Sequence, residues 1–190
     1  MELIPTASQT IGPFFHVYLD AYGSAGCLTG KEARGDRVRI ACRVLDGGGA
    51  AVDDAMIEIW QADAGGKYDH PADTQSGAAD PDFRGFGRMA TNKAGVAMFE
   101  TVKPGRVAAW NGAMQAPHVN VSVFTRGLLK RVVTRVYFAG DPSNQSDPVL
   151  ALVPEDRRET LMAQEDASNP GVWTLDIHLS GARETVFFEI

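Results

Sequence analysis

A chain of 190 residues, 44% hydrophobic and 22% charged, is long enough to bury one core without disulfides and most simply forms a single domain. A net charge of −6, with no cluster of Lys and Arg, excludes a nucleic-acid backbone as a natural partner. No apolar run approaches the roughly 20 residues of a membrane span, no secretory leader is visible, and the two cysteines, Cys27 and Cys42, share no metal-binding spacing; together these fit a reducing cytoplasm.

Twenty glycines and ten prolines, scattered between short β-rich runs, point to an all-β sandwich. Residues 1–20 read as an extended arm around Ser8-Gln9-Thr10-Ile11-Gly12-Pro13-Phe14-Phe15-His16, whose phenylalanines must pack on something: the arm's own domain or a neighbouring site. Residues 21–190 form the domain proper, beginning with a glycine-rich loop to residue 36. Alternation over 37–45 puts Val38, Ile40, Cys42 and Val44 on one face, and the turn Asp46-Gly47-Gly48-Gly49 predicts a hairpin with a strand at 55–61. A long irregular stretch from 65 to 87 has the length of a functional loop. Strands at 88–91 and 96–102 flank Asn92-Lys93-Ala94-Gly95 as a second predicted hairpin, and residues 106–116 form a second loop carrying Trp110. Further strands are expected at 118–124, 131–138, 172–179 and 184–190. A single helix is expected over 154–165, where Pro154, Glu155 and Asp156 suit a helix start and Leu161 with Met162 supply apolar contact.

The run His118-Val119-Asn120-Val121-Ser122-Val123-Phe124 carries the chemistry. Its valines share one face, and His118, Asn120 and Ser122 share the other. A second histidine at 120 would complete a two-toothed chelate, but an amide is a poor ligand for a transition metal beside imidazole. Among the other histidines, His178 reads as a solvated strand residue beside Asp176, and His70 as polar loop surface. Tyr68 lies in a loop that is able to approach His118. There is no nucleophile elbow and no phosphate-binding glycine loop opening a helix. Spacing alone therefore defines a β domain with a residual polar pocket.

Trp60-Gln61-Ala62-Asp63, Gly66-Lys67-Tyr68, Asp80-Pro81-Asp82-Phe83-Arg84-Gly85-Phe86-Gly87-Arg88, Thr101-Val102-Lys103-Pro104-Gly105 and Ala116-Pro117-His118 resemble the intradiol aromatic-ring dioxygenases in wording, order and spacing. Ser8-Gln9-Thr10 with Gly12-Pro13, and Glu184-Thr185-Val186-Phe187-Phe188, extend the resemblance to both ends and direct it to the iron-free chain of the two-chain enzymes. The family's catalytic chain holds ferric iron through two tyrosines and two histidines. Position by position, the first tyrosine is Tyr68, the second is replaced by Val107, the first histidine is His118 and the second is Asn120; a nearby arginine is replaced by Gln115. The resemblance thus implies a chain that binds no metal and has no catalytic residue of its own. It implies ferric iron in a homologous β chain, and a share in the substrate pocket through Thr10, Gly12, Pro13 and Arg126. The implied reaction is O₂-dependent cleavage of 3,4-dihydroxybenzoate to 3-carboxy-cis,cis-muconate. Two rival expectations stand beside it: a catalytically inert β-sandwich binding protein, and a stand-alone iron enzyme using Tyr68, His118, His70 and a water. A subunit built for a partner is also expected to expose an apolar patch, with Phe14, Phe15 and Trp110 as candidates.

Overall fold

The structure, a computed structural model, describes residues 25–189; the arm with Thr10, Gly12, Pro13, Phe14 and Phe15 lies outside the described residues. The described strands are β1 (Arg37–Leu45), β2 (Met56–Trp60), β3 (Phe86–Ala90), β4 (Val96–Val102), β5 (Val107–Ala108), β6 (Met114–Gln115), β7 (His118–Phe124), β8 (Val132–Phe138), β9 (Met162–Glu165) and β10 (Val172–His178). Short β5 and β6 pair with each other, and the other eight run in the order β3-β2-β7-β8-β9-β10-β1-β4. They fold into two facing layers that share β9: its start pairs with β8 and its end with β10. Between the layers lie Ile40, Cys42 and Val44 of β1, Ile57 and Ile59 of β2, Phe99 of β4, and Val119, Val121 and Val123 of β7, all closed to solvent. The valine face read from the alternation of β7 is the core face.

The open edges of the two layers, β3 and β4, are bridged by residues 25–29. Ala25 exchanges backbone hydrogen bonds with Arg88, while the Glu100 carbonyl accepts from Leu28 at 2.8 Å and the Glu100 N–H donates to Gly26 at 2.7 Å. A stretch that reads as loop from its glycines therefore nearly closes the sandwich into a barrel.

Both predicted hairpins are corrected. β1 pairs with β10 and β4, and β2 pairs with β3 and β7, so the chain crosses from one layer to the other after the Asp46 turn. Leu45 and Ala51 form a single bridge before that crossing. β3 and β4 likewise end up in opposite layers. The cause is that each of these strands has one apolar face, and burying two such faces against each other across the core covers more surface than a shared edge in one sheet. The predicted helix is a 3₁₀ helix, Glu155–Leu161, followed directly by β9. Leu161 is buried in an outer cluster with Tyr137, Leu150 and Val153, on which Met162 also packs, while the next residue, Ala163, is buried in the main core; neighbours facing opposite ways are what a strand provides and a continuing helix does not. No strand forms at 184–189: Phe188 makes one bridge to Val133, and Thr185 spends its hydroxyl on the His178 N–H. That tail covers His178, which is 8% exposed rather than solvated. Among the described residues, no helix is long and apolar enough to cross a membrane.

Candidate functional site

The long irregular loop is held by its own carboxylates. Buried Asp63 accepts the N–H groups of Gly65 and Lys67 on one oxygen and that of Asp80 on the other, each at 2.9 Å. Asp73 accepts from Tyr68 and Gln75, and the Lys67 ammonium donates to the carbonyls of Asp73 and Gln75. Gly66 has φ +82, and a Cβ there would lie 2.1 Å from the Arg106 carbonyl oxygen; a Cβ on Gly105 would lie 2.4 Å from the Gly66 nitrogen. Backbone thus packs on backbone, and only glycine permits it. The consequence is positional: Tyr68 is fixed beside the short ribbon of β5 and β6 that carries Val107 and Gln115.

These residues surround an open cavity of about 430 Å³ lined by Trp60, Tyr68, His70, Val107, Ala108 and Gln115, among others. The Tyr68 ring stacks on Trp60 at 5.8 Å, and His70 stands edge-on to Trp60 at 6.3 Å. The Asn120 amide donates to the Trp60 carbonyl at 3.3 Å. His118 is 2% exposed, with Nδ1 sharing a hydrogen bond of 2.8 Å with the Ala116 carbonyl. Sequence positions 68, 107, 118 and 120 are thus brought to one side of the molecule. His70 is not recruited: its Nδ1 accepts the Ala72 N–H at 3.1 Å.

Two further residues organise the site. Arg135 of β8 donates from Nη1 to Gln115 Oε1 at 2.7 Å and to the Tyr137 hydroxyl at 3.1 Å. Buried Asp147 accepts the N–H groups of Ala116, Val149 and Leu150, and the Tyr137 hydroxyl at 3.3 Å. Burial, reinforced by the Arg135 charge, brings the His118 imidazole down to about 4 against the pull of Ala116 and Asp147. Burial lifts the Tyr137 phenol to about 12 and raises that of Tyr68, in each case partly offset by Arg135. At neutral pH the cluster therefore holds a neutral imidazole, two protonated phenols, an amide and one guanidinium. This set does not fit a ferric ion: Val107 offers no donor atom and Asn120 offers only an amide. Among the described residues no other group of His, Cys, Asp and Glu is arranged to hold a metal.

Arg126 lies elsewhere. It follows β7 at the end opposite His118, about 20 Å along the strand. Its side chain is 78% exposed and forms an ion pair with Asp54, whose other oxygen is buried without a partner. Trp110, at the tip of the β5–β6 ribbon, is 54% exposed.

A dioxygenase family profile matches residues 23–181, and the chain belongs to the intradiol ring-cleavage dioxygenase family. Within it, the chain is 41% identical to the protocatechuate 3,4-dioxygenase α chain of Burkholderia cepacia, over 97% of both chains. It is also 38% identical to the β chain of that enzyme, over 83% of this chain and 66% of that one. A solved dioxygenase domain from a carbohydrate-binding fusion protein of a cellulolytic Streptomyces shares the fold, with a TM-score of 0.62 at 24% identity over 94% of this chain and 100% of that one.

Sequence reasoning missed Arg135 and Asp147. Arg135 was in reach, because pairing β7 with β8 in antiparallel register places it directly opposite Asn120. Asp147 had no signal, since it lies in an irregular stretch far along the chain from the backbone groups it satisfies.

Proposed function

We propose that this chain is the iron-free α subunit of a heteromeric protocatechuate 3,4-dioxygenase, and that a homologous β chain supplies the ferric iron. One observation carries the reading. The loop and ribbon that would present metal donors are built in full, yet Val107 and Asn120 stand where two of the four donors belong. Full-length similarity to an α chain, with a weaker match to a β chain, supports it. In the complex, both oxygen atoms of O₂ enter 3,4-dihydroxybenzoate between its hydroxylated carbons to give 3-carboxy-cis,cis-muconate.

This chain's share is to wall and charge the partner's pocket. Arg126 is mostly exposed and oriented by Asp54 without being buried, so its guanidinium remains available to a substrate carboxylate contributed across a subunit boundary. The arm residues Thr10, Gly12 and Pro13 belong to the same wall on the family resemblance. The compartment proposed is the cytoplasm.

The test is to purify the chain alone and together with a homologous β chain, with metal analysis and a visible spectrum of each. An iron-poor, colourless chain that forms a red, active complex with β is the expected result. Stoichiometric iron and colour in the isolated chain would sink the subunit reading, and a chain that ignores β would favour the inert binding protein.

A further inference from the structure

We infer that Arg135 takes the place of the metal ion in this site, so that restoring the missing donors alone leaves the chain unable to hold iron. The inference rests on the site being a degenerate iron centre, as proposed above. Its basis is the hydrogen bond that joins the cross-strand partners of the two replaced residues. Val107 has Gln115 as its cross-strand partner, and Asn120 has Arg135 as its cross-strand partner. Those two partners are joined directly, Arg135 donating to Gln115 at 2.7 Å. One hydrogen-bonded pair therefore runs from one lost donor to the other.

The strand register keeps this arrangement on the donor side. Directly opposed residues of paired strands share a face, so Arg135 and Tyr137 stand over the same face as Asn120 and His118. The alternative face is the closed core, where Val119, Val121 and Val136 leave no room. Lengthwise, the guanidinium is fixed by the Tyr137 hydroxyl and by the Phe188 ring, 5.9 Å away.

The charge is also uncompensated. Among the described residues no carboxylate lies within ion-pair distance of Arg135. The nearest acid in its network, Asp147, is reached through Tyr137. A guanidinium does not give up its proton in a protein, so unlike a lysine or histidine it cannot make way for a metal by titrating. In a half-buried site a fixed positive charge repels an incoming cation in proportion to that cation's charge, which disfavours a ferric ion most. The resemblance assigns an arginine to position 115, and here Arg135 is hydrogen-bonded to the Gln115 that stands there.

Variants of the full chain separate donor loss from charge. They are Val107→Tyr with Asn120→His, the same pair with Arg135→Gln, and the same pair with Arg135→Lys. Each is loaded with Fe(II) without oxygen, exposed to air and desalted, then read by metal analysis, visible spectrum and circular dichroism. Little retained iron is expected for the pair, and an intermediate amount for its Lys version, whose ammonium is able to lose its proton as the metal enters. Stoichiometric iron with a tyrosinate-to-iron colour band is expected for the Gln version, an increase of about ten-fold or more. Coloured, stoichiometric iron in the pair with Arg135 in place overturns the inference, and so does an iron-poor Gln version with a native dichroism spectrum. Should that version not fold, Arg135→Gln alone is titrated with Co(II). Binding about ten-fold tighter than in the unaltered chain is expected, and equal binding overturns the inference. Iron held by the unaltered chain would overturn the subunit reading as well, whereas iron in the pair variant overturns only the role of Arg135.

Discussion

The two ends of β7 make opposite use of polar residues. At the His118 end, the groups are buried or half-buried and matched within the chain: imidazole to Ala116, amide to Trp60, guanidinium to Gln115 and Tyr137, and carboxylate to three backbone N–H groups. At the other end, Arg126 is mostly in solvent, with one carboxylate for company and an orphaned oxygen behind it. A matched buried network resists change because each member orphans another when removed. An exposed ion pair contributes little and is easily exchanged for another anion. The first end therefore reads as structure left from a metal site, and the second as a group held ready for something outside the chain.

The largest expected effect tests the buried end. Asp147→Ala strands three backbone N–H groups and the Tyr137 hydroxyl, and should cost about 3 kcal/mol or more of unfolding free energy, measured by urea denaturation. A loss below about 1 kcal/mol would mean that the network is not a unit.

A similar magnitude is expected from pH. The His118 pKa is lower in the folded chain than in the unfolded one, so its contribution is complete above pH 6.5 and is lost as the pH falls towards 4. The drop from 6.5 to about 4 corresponds to roughly 3 kcal/mol. The carboxyls held below their usual range, Asp73, Asp80, Asp141 and Asp166, act below about pH 3.8 and so leave this window to histidine. His118→Gln should flatten the stability profile between pH 6.5 and 4; an unchanged slope would show that the imidazole is not the responsible group.

At the exposed end the effect should fall on turnover rather than on folding. Arg126→Ala should lower kcat/KM of the assembled complex for protocatechuate by about ten- to a hundred-fold, the equivalent of roughly 1.5–3 kcal/mol, with a much smaller change for catechol, which lacks the carboxylate. The stability of the chain itself should change by less than about 1 kcal/mol. Equal losses for both substrates would place Arg126 at the subunit boundary instead.

The smallest effect sharpens the contrast. Tyr68→Phe removes the hydroxyl but keeps the stack on Trp60, and should cost about 1 kcal/mol or less in thermal or urea unfolding. A loss as large as that of Asp147→Ala would make Tyr68 part of the buried network instead of the wall of an open cavity.

Much of this was legible in the residues. The alternation of β1 and β7 identified their buried faces, and the replaced donors at 107 and 120 were readable once the family resemblance supplied positions for them. The hairpins were misplaced because a glycine-rich turn reports that the chain reverses, not which sheet receives it. His178 was misjudged because nothing local announces that the tail at 184–189 will lie over it. The 3₁₀ segment was taken for a longer helix because Leu161 with Met162 supplied apolar contact at its end, whereas the chain turns there into β9, with Met162 on the outer cluster and Ala163 in the main core.

By itself the sequence determined the β class and the inner face of the central strands. These are properties of side-chain type and period-two spacing, and they need no knowledge of which strands meet. The tertiary structure decided which layer each strand joined, how residues 25–29 bridge the edges, and that Arg135, opposite Asn120, reaches the Gln115 opposite Val107. Each of those depends on cross-strand register between segments distant in the chain, and register is fixed only when all the apolar faces are buried at once.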